Sequence, residues 1–227
     1  IITADGSAVS HPYFRTGTNT GAKLMRDAMM ALTQGKGGWV AQDDVSGEEL
    51  CLKGVRAARA LEMEYFEKMN VYTRVPRAQA QKSGKGKIIK GRWIDVNKGD
   101  SEAPDYRSRF VGKEFNTGAP DASLFAATPP VEHIKYLISR VASSQHSPRP
   151  TYLMISDVKK AYFFADATRK IYIELPPEDY EHGKCGLLQK SLYGTRDAAL
   201  TWTIAYTTAR VEKMGFVQGK STPCAFF

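Results

Sequence analysis

The spacing of apolar residues along the chain alternates between a helical period and a strand period. Apolar residues recur every three or four positions around Met25–Leu32 and again between Ser46 and Met69, and each stretch predicts an amphipathic helix. The second stretch begins with Ser46-Gly-Glu-Glu49, a capping-box pattern that predicts a helix start. The face of this helix that we expect to pack on the core carries Ala58, Leu61, Tyr65 and Met69.

From residue 71 onward, β-branched and aromatic residues predict strands. Val71–Val75 is a candidate short strand, and Gly91–Val96 and Tyr106–Val111 flank an Asn/Gly/Asp turn, which predicts a β-hairpin. Because side chains alternate along a strand, Arg107 and Arg109 are expected on the same face of the hairpin. Paired guanidiniums on such a flap suit bidentate binding of a triphosphate, and an ordinary basic hairpin is the alternative.

The middle of the chain predicts a further helix and two further strands. Thr128-Pro-Pro130 begins a helix that we expect to face the core. The apolar run from Tyr152 predicts a strand that ends at Asp157, and Lys170–Leu175 predicts another strand. The apolar stripe of the predicted helix carries Ile134, Leu137, Ile138 and Val141.

The last fifty residues predict a long helix followed by a hairpin. The helix is expected to begin at Asp197, acting as its N-cap, and to reach Met214 before Gly215 ends it. Phe216-Val217 and the terminal residues Cys224–Phe227 indicate a short hairpin after it. Helices and mostly antiparallel strands in this order predict an α+β fold.

Asp157 is the first candidate for chemistry. A carboxylate at the end of an apolar strand is held in place by the sheet, so it can serve as a metal ligand at the sheet edge. A solvated aspartate that simply ends a strand is the alternative. Tyr162 follows five residues later.

Composition narrows the function classes. The 227 residues carry a formal net charge of +8, and lysines are concentrated between Lys82 and Lys98. This charge favours a polyanionic partner such as nucleic acid, with a solvated basic face as the alternative. The three cysteines and four histidines are scattered, which argues against a disulfide framework or a zinc site.

No apolar run approaches the ~20 residues of a membrane span. The start of the chain has neither a signal-peptide pattern nor an initiator Met. We therefore expect a segment cut from something longer, with no membrane partner.

Several segments together resemble the reverse transcriptase domain of copia-type LTR retrotransposons. The similarity covers about residues 60–227, and residues 1–45 remain a poorly defined N-terminal segment before a partial reverse transcriptase at 46–227. The segments, in chain order, are Trp93-Ile-Asp-Val, YRSRFVGKEF from Tyr106, FAATPPV from Phe125, Asp157-Val-Lys-Lys-Ala-Tyr162, IYIELPP from Ile171, Lys190-Ser-Leu-Tyr-Gly194 and Met214-Gly-Phe216 through Pro223.

The resemblance implies a right-hand polymerase, with a fingers hairpin and a palm whose antiparallel sheet carries packed helices. It implies that Asp157 is a catalytic aspartate and that the carbonyl of Val158 joins it in binding Mg²⁺, or Mn²⁺ in its place. The remaining roles that it implies are a triphosphate clamp of Arg107, Arg109 and Lys113, a deoxyribose-sensing Tyr162, and a turn beside the template and nascent base pair at Tyr193 and Gly194.

The resemblance also implies partners and a location. The partners are an RNA or DNA template-primer and dNTPs, the chain is part of a larger polyprotein, and the setting is intracellular, in a cytoplasmic particle or the nucleus.

Two departures from the family pattern qualify the expected activity. The family's Gln-Ala-Pro is Asp197-Ala-Ala199 here, which adds a negative charge near a nucleic-acid path. The second catalytic element, a tyrosine followed by two aspartates, is absent from these residues, and Asp166 does not replace it. We therefore expect a truncated palm and no polymerase activity from this chain alone, which leaves open whether it is an enzyme. A non-catalytic basic module that binds nucleic acid and a decayed element without function are the alternatives.

Overall fold

Short strands and helices alternate in an α+β arrangement, as the sequence predicts. The computed structural model describes residues 40–82, 88–115, 124, 126, 128–154 and 157–227. The helix predicted around Met25–Leu32 lies outside these residues. Residues 40–227 form one compact unit, and the division at residue 46 stays a prediction.

The predicted capping box at Ser46 is wrong. Strands β1 (Ala41–Gln42) and β2 (Glu49–Leu50) pair antiparallel, so residues 43–48 form the turn between them. The Asp43 carboxylate accepts hydrogen bonds from the amides of Val45 (2.7 Å) and Ser46 (3.0 Å), and these bonds favour a turn over a helix. Helix α1 begins only at Leu52.

Helix α1 (Leu52–Lys68) buries a different face from the predicted one. Its buried residues are Val55, Glu62 and Phe66, one position further along the chain than Leu61 and Tyr65. Leu61 is 52% exposed. The helix is rotated in this way because Phe66 packs edge-on against Phe163, with 5.1 Å between ring centroids.

The first part of the main sheet follows α1. Strand β3 (Tyr72–Pro76) confirms the predicted short strand, and helix α2 (Arg77–Lys82) and strand β4 (Ile88–Ile89) come next.

The predicted hairpin is confirmed. Strands β5 (Gly91–Asn97) and β6 (Tyr106–Gly112) pair antiparallel, with Ile94 opposite Arg109. Ser108 and Phe110 are buried and Arg107 and Arg109 are exposed, so both guanidiniums do share the outer face.

Helix α3 (Val131–Ser144) forms where predicted, but it does not face a core. None of its residues is buried, because the described elements cover its apolar stripe only in part, and Ile138 is 52% exposed. The predicted strand before Asp157 is also absent over residues 151–154. No described strand lies beside this segment to accept its backbone hydrogen bonds, and Tyr152 is 81% exposed.

Strands β7 (Tyr172–Ile173) and β8 (Lys184–Leu188) complete a four-stranded sheet in the order β3-β8-β7-β4. Strand β8 pairs antiparallel with both of its neighbours, and β4 pairs parallel with β7. The predicted strand Lys170–Leu175 is therefore correct in place and shorter than expected.

Helix α4 (Ala198–Thr208) continues as a π-helix over Ala209–Lys213, and Gly215 ends it with φ +74°. The terminal hairpin is confirmed by paired hydrogen bonds between the backbones of Val217 and Phe227 (2.7 and 3.0 Å). In the described ranges, no helix combines the length and the apolar character of a membrane span.

A buried charge network fastens the β5–β6 hairpin to α1. The Asp95 carboxylate accepts hydrogen bonds from the Arg59 guanidinium (2.6 and 3.2 Å) and from the Ser108 hydroxyl (2.6 Å). The side chains of Arg59 and Asp95 are only 12% and 7% exposed. Arg59 also binds the Glu178 carboxylate (3.2 Å), so Asp95 and Glu178 together offset its buried charge.

We expect Asp95→Ala to lower the free energy of unfolding by about 3 kcal/mol, because it leaves the buried Arg59 charge incompletely paired. Urea denaturation measures this loss. Asp105→Ala is the matched control, since Asp105 pairs with Arg107 where both side chains are at least half exposed (50% and 63%), and such pairs contribute less than about 1 kcal/mol. Equal losses in the two variants would contradict this account of the hairpin.

Candidate functional site

The candidate site forms where the end of β6 meets the turn after β8. The amide of Gly112 donates to the carbonyl of Tyr193 (2.7 Å), and the amide of Glu114 donates to the carbonyl of Gly194 (3.3 Å). Gly194 has φ +80°, and a Cβ there would overlap the carbonyl oxygen of Gly112. A side chain at residue 194 would therefore prevent this close approach of the turn to the end of β6.

Three side chains meet at Tyr193. The ring of Tyr162 lies 4.5 Å from the Tyr193 ring between centroids, and the Arg109 guanidinium lies 5.6 Å from the same ring. Such distances are those of aromatic and cation–π contacts. We call Arg109, Tyr162 and Tyr193 the aromatic–arginine cluster.

The Asp157 carboxylate lies close enough to this cluster to act on it electrostatically. Burial raises the pKa of the Tyr193 phenol above its usual value of 10.0, the Arg109 charge lowers it, and the charges of Tyr162 and Asp157 raise it. Asp157 itself is exposed. The phenol of Tyr193 is thus influenced by a positive charge on Arg109 and a negative charge on Asp157.

The segment after Asp157 is a tight turn rather than a strand. Lys160 adopts a left-handed backbone conformation (φ 58°, ψ 40°), and a 3-10 helix over Ala161–Phe164 follows it. Phe163 is fully buried and Tyr162 is half-buried. The turn therefore anchors its middle in the core while Tyr162 reaches the cluster.

The remaining predicted site residues are Arg107, Lys113 and Val158. The Arg107 guanidinium is held by the Asp105 carboxylate (2.8 Å) and does not join the cluster. Lys113 is exposed just beyond β6, where its amide donates to the carbonyl of Lys90 (2.7 Å). Val158 is half-buried beside Asp157. The structure thus brings Arg109, Tyr162 and Tyr193 together. Asp157 acts on Tyr193 electrostatically, and Arg107 pairs with Asp105 instead.

Asp197 does not act as the predicted N-cap, since its side chain makes no capping hydrogen bond. Its carboxylate instead binds the Arg169 guanidinium (both bonds 2.9 Å). The same guanidinium binds Glu114 in a bidentate pair (2.7 and 2.5 Å), and Glu114 also accepts from the amide of Arg196 (2.9 Å). The charge that we expected near a nucleic-acid path is therefore paired.

Arg169 sets the protonation of both carboxyl groups. Burial alone raises the pKa of Glu114 and that of Asp197, but the hydrogen bonds and charge of Arg169 outweigh it, so both pKa values lie below their usual values of 4.5 and 3.8. Sequence reasoning missed this network, because Arg169 and Glu114 are 55 positions apart and no local motif joins them.

A second missed pair is Glu62 with Lys160. The Lys160 ammonium binds the Glu62 carboxylate, whose side chain is fully buried in α1. The signal for Glu62 was its spacing, since it lies seven residues after Val55 and four before Phe66, on the buried helix face. An acid at a core-facing position indicates a buried partner.

Oxygen donors for a metal ion are few. Within the described ranges, no three His, Cys, Asp or Glu side chains lie close enough together to hold a metal ion. Asp157 therefore belongs to no such group of three, and the described residues do not fit a two-ion centre.

A family model described as reverse transcriptase (RNA-dependent DNA polymerase) matches residues 70–224. A retrovirus-related Pol polyprotein from the transposon TNT 1-94 of Nicotiana tabacum is 27% identical over 175 residues, which are 73% of this chain and 12% of that protein. The Ty1-DR4 Gag-Pol polyprotein of Saccharomyces cerevisiae is 28% identical over 75 residues, which are 33% of this chain and 5% of that protein. The chain thus spans a small part of these relatives, and no solved structure matches it significantly.

We expect Arg109→Met to raise the pKa of Tyr193 further, because the variant loses the nearby positive charge that favours the phenolate. Ultraviolet absorbance titration, with Tyr193→Phe to identify the signal, measures the shift. Arg107→Met should leave this pKa unchanged, since Arg107 pairs with Asp105 instead. If the pKa of Tyr193 shifted in both variants, or in neither, the contact between Arg109 and Tyr193 would be refuted.

We expect Arg169→Met to lower the free energy of unfolding at pH 7 by about 1–2 kcal/mol, a partly exposed ion network being worth less than a buried one. Because the folded-state pKa values of Glu114 and Asp197 are lowered, their contribution is present above the usual carboxyl pKa and is lost as the pH falls through the folded values.

The difference in free energy of unfolding between wild type and Arg169→Met should accordingly become smaller as the pH falls from 7 to about 3. Urea denaturation across this range tests it. Lys184→Met, which removes the exposed pair with Glu181, is the control and should change little at any pH. A difference that stays constant with pH would contradict the assignment.

Proposed function

Because the chain belongs to the reverse transcriptase (RNA-dependent DNA polymerase) family, we propose that residues 46–227 supply the fingers hairpin and the first part of the palm of a copia-type reverse transcriptase. In this proposal the β5–β6 hairpin is the fingers flap and the four-stranded sheet belongs to the palm. The function is template-directed incorporation of dNTPs, a nucleotidyl transfer.

The observation that carries the proposal is the aromatic–arginine cluster itself, on which the charge of Asp157 acts electrostatically. A nucleoside triphosphate needs a cation for its phosphates and an apolar surface for its sugar and base. The cluster offers both, a guanidinium and two aromatic rings, within contact distance of one another.

The triphosphate is bound by the exposed cations of the hairpin. Arg109 contacts the aromatic–arginine cluster directly, and Lys113 extends the positive surface beyond the end of β6. Arg107 contributes after leaving Asp105, an exposed pair that costs little to break. Because phosphoryl transfer depends on position and charge, these cations orient the substrate.

The sugar is sensed by Tyr162. Its ring is fixed against Tyr193 at 4.5 Å and its neighbour Phe163 is locked in the core, so the ring cannot easily move aside. A rigid ring under the sugar collides with a 2′-hydroxyl and so selects dNTPs over rNTPs. Tyr193 and Gly194 then lie on the template side, beside the nascent base pair.

Mg²⁺, or Mn²⁺ in its place, is the metal of this chemistry. One carboxylate and the carbonyl of Val158 are too few ligands to hold two metal ions at catalytic spacing. We therefore assign no catalytic step to the metal here. The chain by itself should not incorporate dNTPs.

The chain acts as one segment of a larger polyprotein, like the relatives that it resembles. Its partners are then an RNA or DNA template-primer and dNTPs, in a cytoplasmic particle or the nucleus.

We expect the chain to bind dATP and to lose at least about tenfold in affinity in Arg109→Ala, because a charge-assisted hydrogen bond to phosphate is worth about 1.5–3 kcal/mol. Calorimetry on the 227-residue chain measures both affinities. Lys184→Ala, on a strand of the palm sheet and paired with Glu181, should bind as wild type does.

The alternative of a non-catalytic basic module predicts a different pattern. Nucleic acid would bind with a steep salt dependence that Arg107→Ala and Arg109→Ala weaken, while dATP would not bind and Asp157→Asn would have no effect. Steady dNTP incorporation on a primed homopolymer, abolished by Asp157→Asn, would overturn the expected inactivity of the chain alone.

A further inference from the structure

The turn that carries Asp157 and Tyr162 depends on a buried ion pair. Lys160 lies between these two residues, and its ammonium reaches across to the Glu62 carboxylate on α1. The side chain of Glu62 is 0% exposed and that of Lys160 is 17% exposed. The contact therefore ties the middle of the turn to the centre of a long helix.

This arrangement is costly in three respects. A non-glycine residue in the left-handed region, such as Lys160 at φ 58°, costs on the order of 1 kcal/mol, and a buried ion pair is often no more stable than an apolar pair of the same size. In addition, the Glu62 Oε1 atom is buried and has no hydrogen-bond partner in the described part of the chain. Stability alone does not account for this choice of residues.

A role in positioning Tyr162 accounts better for the presence of Glu62 and Lys160. The carbonyl of Lys160 accepts from the amide of Phe163 (3.0 Å), which starts the 3-10 helix that presents Tyr162. Phe163 in turn packs on Phe66, one turn along α1 from Glu62. The turn is thus fixed to α1 at two points, one ionic and one aromatic.

We propose that the Glu62–Lys160 ion pair is a positioning element that holds Tyr162 against Tyr193 and so sets the preference for deoxyribose, a role that rests on the proposed function. Neither residue touches the nucleotide. Their effect is transmitted through the backbone of the turn, which has one conformation when Lys160 is anchored and several when it is not.

Other charges near the pair do not replace it. Lys159 and Lys160 both lie over the Tyr65 ring, at 5.0 and 5.4 Å, but Lys159 is exposed and does not reach Glu62 in the described structure. Lys159→Met is therefore the matched control, since it removes an equal charge from the adjacent position.

The test separates position from stability through three variants. Lys160→Met strands the buried carboxylate and should lower Tm by roughly 10 °C. Glu62→Met with Lys160→Met removes both charges and should restore Tm to near the wild-type value. Lys160→Gly relieves the left-handed backbone but loses the anchor.

Two readouts report position directly. Nuclear Overhauser contacts between the Tyr162 and Tyr193 rings should be clear in wild type and Lys159→Met, and lost in the double variant and in Lys160→Gly. The ratio of dATP to ATP affinity should fall at least about fivefold in the same two variants.

The outcomes are distinct from those of the proposed function. If the double variant keeps both the ring contacts and the wild-type affinity ratio, the ion pair is only structural and the inference is overturned. If wild type binds dATP and ATP equally, the sugar-sensing function fails, while the ring contacts still decide whether the pair positions Tyr162.

Discussion

The backbone contact between Gly112 and the Tyr193-Gly194 turn is the constraint on which the candidate site depends. Two amides at the end of β6 donate to the carbonyls of this turn, and the absence of a side chain at Gly194 permits the approach. The hairpin is thereby held at a fixed distance from the main sheet, so that Arg109 reaches Tyr193. Without this contact, nothing in the backbone would hold the guanidinium of Arg109 close to the phenol rings of Tyr162 and Tyr193.

Charge pairs reinforce the contact from both sides. Arg59 and Asp95 hold the hairpin to α1, and Arg169 joins Glu114 beyond the hairpin to Asp197 at the start of α4. Each of these pairs uses acidic charge as well as basic charge, so the pairs leave the net charge of +8 unchanged. The positive surface that a polyanion would meet is best sought where cations are exposed, on the outer face of β6.

Local sequence patterns predicted the helices and strands well, but they predicted poorly which residues these helices and strands contact. Alternation located the β5–β6 hairpin and the exposed face of Arg107 and Arg109, because a strand's period is a property of its own residues. The buried face of α1 was misjudged by one position, since its rotation follows the packing of Phe66 on residues a hundred positions away. The capping pattern at Ser46 failed because Asp43 competes for the same amides. Of the site, family resemblance named Tyr162 and Asp157, but neither resemblance nor spacing could reveal Lys160 and Arg169, whose partners are distant in sequence.

The network of Glu114, Arg169 and Asp197 constrains which amino-acid substitutions this chain can accept during evolution. Its three charges belong to separate segments, yet the loss of Arg169 alone leaves two carboxylates facing each other, and the loss of Asp197 alone leaves the guanidinium with one partner. Substitutions at these positions are therefore tolerated more readily in combination than singly. The aspartate that departs from the family's Gln-Ala-Pro pattern is thus one member of a network of three charges.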